Sequence, residues 1–186
     1  MKWRNDAHAW GWVSILLHWI MALLAIILFG LGKYMITLDY YHPLYQRLPD
    51  FHRNLGVIFA LLLVLRLLWR WANPLPETSV ATVERGLALL MHRLFYLVMV
   101  AVVVSGYLIS TANGHALMLA GGFELPALVS GVDNLEDQAG AWHEALTWLL
   151  AAMVMLHVLA AFWHHLVKRD EVLKRMLGLS PGRREK

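Results

Sequence analysis

The chain has 186 residues, of which 59% are hydrophobic and only 16% are charged, and its formal net charge is +3. This composition is too apolar for a soluble domain of this length, so we predict an integral membrane protein with no nucleic-acid partner. Cysteine is absent, which excludes disulfides, iron–sulfur clusters, zinc–thiolate sites and covalently attached c-type haem. A tightly held cofactor must therefore use histidine, methionine or carboxylate groups.

The first predicted element is the apolar run at residues 12–32, WVSILLHWIMALLAIILFGLG. A run of about 20 apolar residues is long enough to cross a bilayer as a helix. No small-residue cleavage site follows it, so we expect a retained first helix and not a signal peptide.

Three further apolar runs follow, at residues 51–71, 88–110 and 142–166. The connections between them contain proline and glycine, which end helices. We therefore predict an all-α fold, in which residues 1–186 form a single integral membrane four-helix bundle. Residues 167–186 are predicted to form a basic tail that contacts lipid headgroups.

The distribution of positive charge predicts the orientation. Of the 16 lysines and arginines, thirteen fall at the N-terminus, between the second and third runs with their ends, and in the tail. Only Lys33, Arg47 and Arg53 fall on the other side. The positive-inside rule then places both termini of this multi-pass protein in the cytoplasm. The acidic loop within residues 111–140 is expected outside.

Seven of the ten histidines lie inside the predicted spans: five at two depths, and His164 and His165 at the inner boundary. His52 opens the second run and His143 opens the fourth, so both are expected near the outer surface. The inner half of the membrane is expected to hold His18, His92 and His157. Imidazoles at these depths need partners inside the protein, because polar groups in lipid are costly.

One face of the fourth run carries a histidine at each depth. His143 and His157 are 14 residues apart, which is about 21 Å along a helix and within roughly 40° around it. Another run supplies a partner at each level, His52 outside and His18 inside. Two neutral imidazoles on opposite helices are typical of bis-histidine ligation of a planar macrocycle. The pattern predicts two b haems stacked across the bilayer.

Other interpretations of these side chains stay open. The histidines could form hydrogen bonds between helices, and His92 could replace His18 as the inner ligand. Arg53, Arg66 and Arg93 are candidate contacts for haem propionates or for a quinone, although arginines at span ends also extend towards water without a partner. A bare metal site is less well supported, because two histidines per level with no nearby carboxylate make a poor structural site. A histidine-lined metal transporter would need carboxylates at mid-depth, and none of the four runs has a carboxylate at that depth.

Several short motifs together resemble the bacterial cytochrome b561 family of four-helix, di-haem membrane proteins. They are SILLHW around His18, HRNLG around His52, MHRLFYL around His92, SGYLIS at 105–110, and WHEAL followed by LH and then HH. The likeness covers essentially the whole chain in order. It implies haem iron ligation by His18 with His157 on the cytoplasmic side, and by His52 with His143 on the periplasmic side. It also implies superoxide oxidation, with electrons passing through two haem b groups to ubiquinone.

The two sides of the membrane raise separate questions about substrates. For ubiquinone, His92, His164 and His165 are candidate donors near the inner haem, where a reduced quinone would need protons. The outer side has seven acidic residues against three basic ones, a balance that repels an anion such as superoxide. The alternative function is therefore an electron-transfer module or anchor that links quinone to a periplasmic redox partner. The absence of additional helices favours a self-contained unit.

Overall fold

Four long helices dominate the computed structural model, which describes residues 2–7, 9–76 and 82–179. They are α1 (Trp12–Met35), α2 (Arg47–Ala72), α3 (Thr82–Thr111) and α4 (Leu135–Trp163). The chain continues from α4 as a π-helix, His164–Lys168, and then forms the short α5 (Val172–Met176). Strands β1 (Leu117–Met118) and β2 (Glu124–Leu125) form an antiparallel hairpin between α3 and α4. Residues 180–186 of the predicted basic tail lie outside the described residues.

Each apolar run lies within one helix that is long and apolar enough to cross a membrane. Three helices begin before their runs, in polar first turns such as RLPD of α2 and LEDQAG of α4. A proline in the first turn costs no helical hydrogen bond, and a single glycine costs only about 1 kcal/mol. Hydropathy detects only the part of a helix that lies in hydrocarbon. The predicted all-α, four-helix membrane fold is confirmed.

The packing is that of a bundle whose outer surface is apolar. Large side chains such as Leu23, Ile26 and Leu61 are more than half exposed, as expected where lipid and not water surrounds the helices. The central core is small, with Met21, Phe59 and Leu63 buried among side chains of α1, α2 and α3. This core lies midway along the bundle, between the two levels of histidines.

The helices associate as two pairs. α1 packs mainly on α2, and α3 packs mainly on α4, while α1 and α4 barely touch. Side-chain contacts between α1 and α4 include the Phe29–Trp148 ring pair, with centroids 5.2 Å apart, and the ion pair between Lys33 and Glu144, at 2.8 Å. The histidines of α1 and α2 therefore face α4 across a seam between the two pairs.

The two ends of the bundle are built differently. We call the end with the α1–α2 and α3–α4 connections the loop end, and the opposite one the termini end. At the termini end, Asn5 joins three segments: its Oδ1 accepts from the Gly11 amide (2.9 Å) and the Ser14 hydroxyl (2.7 Å), and its Nδ2 donates to the Pro74 carbonyl (2.9 Å). A Cβ on Gly11 would lie 2.4 Å from the Trp3 carbonyl oxygen, so this turn requires glycine.

At the loop end, the connection between α3 and α4 folds back onto the helices. The Ala120 amide donates to Asn54 Oδ1 of α2 at 2.8 Å. The Tyr107 hydroxyl of α3 donates to the Pro126 carbonyl at 2.5 Å and accepts from the Leu128 amide at 2.8 Å. The hairpin is thereby held against the bundle two residues along α2 from His52.

Candidate cofactor sites between the helices

The loop end holds one pair of facing imidazoles. The rings of His52 on α2 and His143 on α4 have centroids 6.4 Å apart and planes inclined by 81°. An atom bound to a nitrogen of each ring at about 2 Å requires roughly 6 Å between the ring centres. The separation is therefore that of two axial ligands with a metal between them.

The ring of His143 is fixed in one tautomer. Its Nδ1 lies 3.0 Å from the Val102 carbonyl oxygen and 3.0 Å from the Ser105 hydroxyl, which itself donates to the same carbonyl. Because a carbonyl only accepts, Nδ1 carries the proton and Nε2 keeps its lone pair. A metal-binding histidine needs this form, with its second nitrogen bonded to the protein.

Glycines on neighbouring helices make room for both rings. A Cβ added to Gly106 of α3 would lie 3.1 Å from Cε1 of His143, and one added to Gly32 of α1 would lie 3.4 Å from Cε1 of His52. Within the described residues, the buried Nδ1 of His52 has no hydrogen-bond partner. A buried, unsatisfied nitrogen is rare in folded proteins, and its presence beside the paired rings is consistent with a site built for a further group.

At the termini end, one imidazole has two imidazole neighbours. His157 of α4 lies 6.3 Å from His18 of α1 and 5.9 Å from His92 of α3, measured between ring centroids. Phe95 packs against the same His157 ring at 5.5 Å. Both distances match the spacing of two axial ligands, so the structure brings the predicted ligand His18 and its alternative His92 equally within reach of His157.

Arg66 distinguishes the two alternatives at this end. One of its terminal nitrogens lies 3.1 Å from His18 Nδ1, and its Nε donates to the Tyr96 hydroxyl at 3.2 Å. A guanidinium only donates, so His18 Nδ1 accepts and the ring proton is on Nε2. Arg66 thus has partners inside the span, as an intramembrane charge requires, and His18 has the tautomer opposite to that of His143.

These arrangements suit a haem better than a bare metal ion. Within the described ranges, no group of three or more His, Cys, Asp or Glu side chains converges on a point that an ion would occupy. A haem supplies four equatorial nitrogens itself and needs only the two axial ligands. The loop-end residues fit this requirement as they stand. The termini-end residues fit it in spacing, while ligation through His18 Nε2 requires the ring proton to move.

The other predicted site residues lie around these pairs. Arg53 forms an ion pair with Asp50, and Arg93 is exposed on α3. His164 Nδ1 lies 2.5 Å from Asp170 Oδ2, whereas the buried Nδ1 of His165 has no hydrogen-bond partner among the described residues. The structure therefore places none of these four in contact with a paired imidazole, and their roles remain predictions.

Three residues that contact the histidines directly or through Arg66 were not found from the sequence. Ser105 contacts His143 and Asp170 contacts His164, while Tyr96 reaches His18 only through Arg66, to which its hydroxyl is hydrogen-bonded. Ser105 and Tyr96 carry a usable signal, because a polar group in an apolar span needs a partner. Asp170 follows the span, and nothing in the local sequence indicates that the chain turns back to His164.

Comparison with known proteins gives one family. The sequence profile described as prokaryotic cytochrome b561 matches residues 9–179. Cytochrome b561 homolog 2 of Escherichia coli K12 is 36% identical over 182 residues, covering 97% of each chain. A probable superoxide oxidase of Yersinia pestis is 30% identical over 174 residues, covering 91% of this chain and 96% of the relative. Cytochrome b561 homolog 1 of Escherichia coli K12 is 23% identical over 166 residues, covering 88% of this chain and 94% of the relative.

Proposed function

The chain belongs to the prokaryotic cytochrome b561 family, and we propose that it is a superoxide:ubiquinone oxidoreductase of the bacterial inner membrane. Membership of the family establishes membrane electron transfer as the general function and b-type haem as the implied cofactor. The finer proposal has two haem b groups, periplasmic superoxide as the electron donor and ubiquinone as the acceptor. Both termini are proposed to lie in the cytoplasm, which makes the loop end periplasmic.

One observation carries the proposal. A single helix, α4, presents His143 and His157 about 21 Å apart along its axis, and each faces a histidine of another helix with ring centroids 6.4 and 6.3 Å apart. We assign His52 with His143 to the periplasmic haem and His18 with His157 to the cytoplasmic haem. When bound, the haems supply one-electron oxidation and reduction at two depths of the membrane.

The proposed reaction transfers two electrons. Two superoxide anions each lose one electron and become two molecules of oxygen, and one ubiquinone gains these two electrons and two protons to become ubiquinol. The probable superoxide oxidase among the relatives supports this donor. The paired histidines would hold the haems, the apolar central core separates the two levels, and polar side chains at the termini end would supply protons.

The charges at the loop end favour a second candidate function. Of the three cations there, Lys33 is paired with Glu144 and Arg53 with Asp50, while Arg47 is exposed. Five further acidic residues of this end are exposed: Asp39, Glu124, Asp133, Glu136 and Asp137. Such a surface repels a small anion and attracts a cationic protein. A basic periplasmic redox protein that exchanges electrons with the outer haem is therefore the alternative to superoxide.

Stopped-flow spectroscopy of the purified, haem-loaded protein separates the two candidates. We expect superoxide to reduce the haems faster than it dismutates in the same buffer, and a ubiquinone analogue to reoxidise them. Heat-denatured protein with the same haem content is the control for free haem. If superoxide reduces the haems no faster than it disappears alone, while a basic cytochrome does so in a salt-sensitive reaction, the alternative function holds and the leading one fails.

A further inference from the structure

Residues 164–176, which we call the cap, close the termini end of the bundle. The cap begins at the π-helix that continues α4 and ends with α5. Lys168 forms an ion pair with Glu84 of α3 at 2.8 Å, and Trp19 of α1 donates its indole N–H to the Met176 carbonyl at 2.8 Å. The cap is therefore attached to three of the four long helices, below the level of His18 and His157.

A half-buried imidazole–carboxylate pair lies inside the cap. His164 Nδ1 is 2.5 Å from Asp170 Oδ2, and only 23% of the His164 side chain and 18% of the Asp170 side chain are exposed. The backbone fixes this contact, because Arg169 turns the chain in the left-handed region (φ 54°) and the Asp170 amide donates to the His164 carbonyl. Asp170 Oδ1 accepts in addition from the Val172 amide. The carboxylate is thus held in place from three directions.

The position of His164 along α4 connects this pair to the inner histidines. His164 follows His157 by seven residues, which is about 10 Å along the helix and roughly 20° around it. It therefore lies on the α4 face that carries His157, between that level and the water at the termini end. The π-helix begins at His164, and such bulges are frequent at functional sites.

We propose that His164 is the proton donor to the quinone that is reduced at the termini end, and that Asp170 is the residue that positions it. This inference rests on the proposed function, because it requires a quinone as electron acceptor. The quinone needs two protons along with its two electrons, and the apolar side chains of the bundle cannot supply them. His164 gives one proton from its imidazolium to a quinone oxygen, regains a proton from water, and repeats this for the second.

A purely mechanical role explains this pair less well. The Lys168–Glu84 ion pair and the Trp19–Met176 hydrogen bond already attach the cap to the helices. A latch does not need an imidazole, whereas proton delivery needs a side chain that can donate a proton and accept one back. The charged groups that surround His164 are Asp170 in the cap, Lys168 on the π-helix and Glu84 on α3.

The test uses the haem-loaded full chain, reduced anaerobically with dithionite and mixed with a short-chain ubiquinone in a stopped-flow instrument. We expect His164→Gln to slow haem reoxidation at least tenfold, with the haem content, the spectrum and the half-saturating quinone concentration unchanged. The solvent isotope effect should rise as proton delivery becomes limiting. Asp170→Asn should lower the maximal rate by a smaller factor at the same half-saturating concentration. In His164→Ala, added imidazole should restore part of the rate.

Glu84→Gln is the matched control, because it removes an attachment of the cap without touching the imidazole. Equal slowing in Glu84→Gln and His164→Gln, with no rescue by imidazole, would show a mechanical role and overturn the inference. An unchanged rate in His164→Gln would overturn it as well. If quinone does not reoxidise the wild-type protein either, the quinone acceptor of the proposed function has failed.

Discussion

The loop end and the termini end both place facing imidazoles between the helices, but they use different numbers of histidines. The loop end has one histidine on each side of the seam, and the Val102 carbonyl leaves His143 Nε2 available as a ligand. At the termini end, His157 faces both His18 and His92, and Arg66 holds His18 in the other tautomer. Depth and spacing therefore define a ligand pair at the loop end. At the termini end, the proton position on each ring matters as well.

This difference indicates which site already has the ring tautomers that haem ligation requires before a haem binds. The loop-end site needs no change in protonation. At the termini-end site, ligation by His18 Nε2 would require the ring proton to move to Nδ1, which would break the hydrogen bond with Arg66. Ligation by His92 would leave that hydrogen bond in place. The predictions below test this contrast.

Removing a loop-end ligand should have the largest effect. We expect His143→Ala to lose one of two haems, because no third histidine of the described residues contacts this pair. Pyridine haemochrome quantitation of the purified variant measures the loss. The control is His115→Ala, whose exposed side chain lies in the connection between α3 and α4. Retention of both haems in His143→Ala would refute the loop-end assignment.

The second-largest effect should show whether His18 or His92 is the ligand of the inner haem. We expect His18→Ala to lose the inner haem and His92→Ala to keep it, since His18 is the ligand implied by the family motif around it. Absorbance spectra and haem content of the two variants, prepared in parallel, provide the comparison. The reverse outcome would make His92 the ligand and leave the His18–Arg66 hydrogen bond as a permanent part of the fold.

Arg66→Leu should have a moderate effect on stability. The substitution leaves the Tyr96 hydroxyl and His18 Nδ1 without their common partner, at a cost of about 1–3 kcal/mol. Thermal unfolding in detergent, followed by circular dichroism, should show a lower midpoint, while the outer haem is retained. Arg85→Leu, on an exposed turn of α3, should leave the midpoint almost unchanged. Loss of the outer haem in Arg66→Leu would mean that the two ends are coupled.

Gly106→Ala should have the smallest effect and should be confined to the loop end. The new methyl group would lie 3.1 Å from Cε1 of His143, so the ring must shift by a few tenths of an ångström, at roughly 1 kcal/mol. We expect faster loss of the outer haem to apomyoglobin. Gly140→Ala is matched to it, because a Cβ there meets nothing within 4 Å and should be neutral or slightly stabilising. Equal rates in both variants would show that Gly106 does not position His143.

The sequence was a good guide wherever periodicity and depth decide the structure. The spacing of His143 and His157 and the depth of His52 predicted that His52 faces His143, because a transmembrane helix has a fixed rise and pitch. At the inner level they left His18 and His92 as alternatives, and the structure places both rings beside His157. The same reasoning does not predict that the Arg66 side chain contacts His18, or that the chain reverses direction so that Asp170 contacts His164. Those contacts depend on side-chain rotamers and on a left-handed turn at Arg169, which hydropathy does not encode.

The most direct test of the central claim is the haem content of the wild-type chain. Protein purified in detergent from haem-replete cells should give a reduced-minus-oxidised spectrum of b-type haem, and pyridine haemochrome quantitation should give two haems per chain. His157→Ala, measured in the same way, should give one haem. A colourless wild-type preparation, or a single haem that survives in His157→Ala, would contradict the account of α4 as the helix shared by two haems.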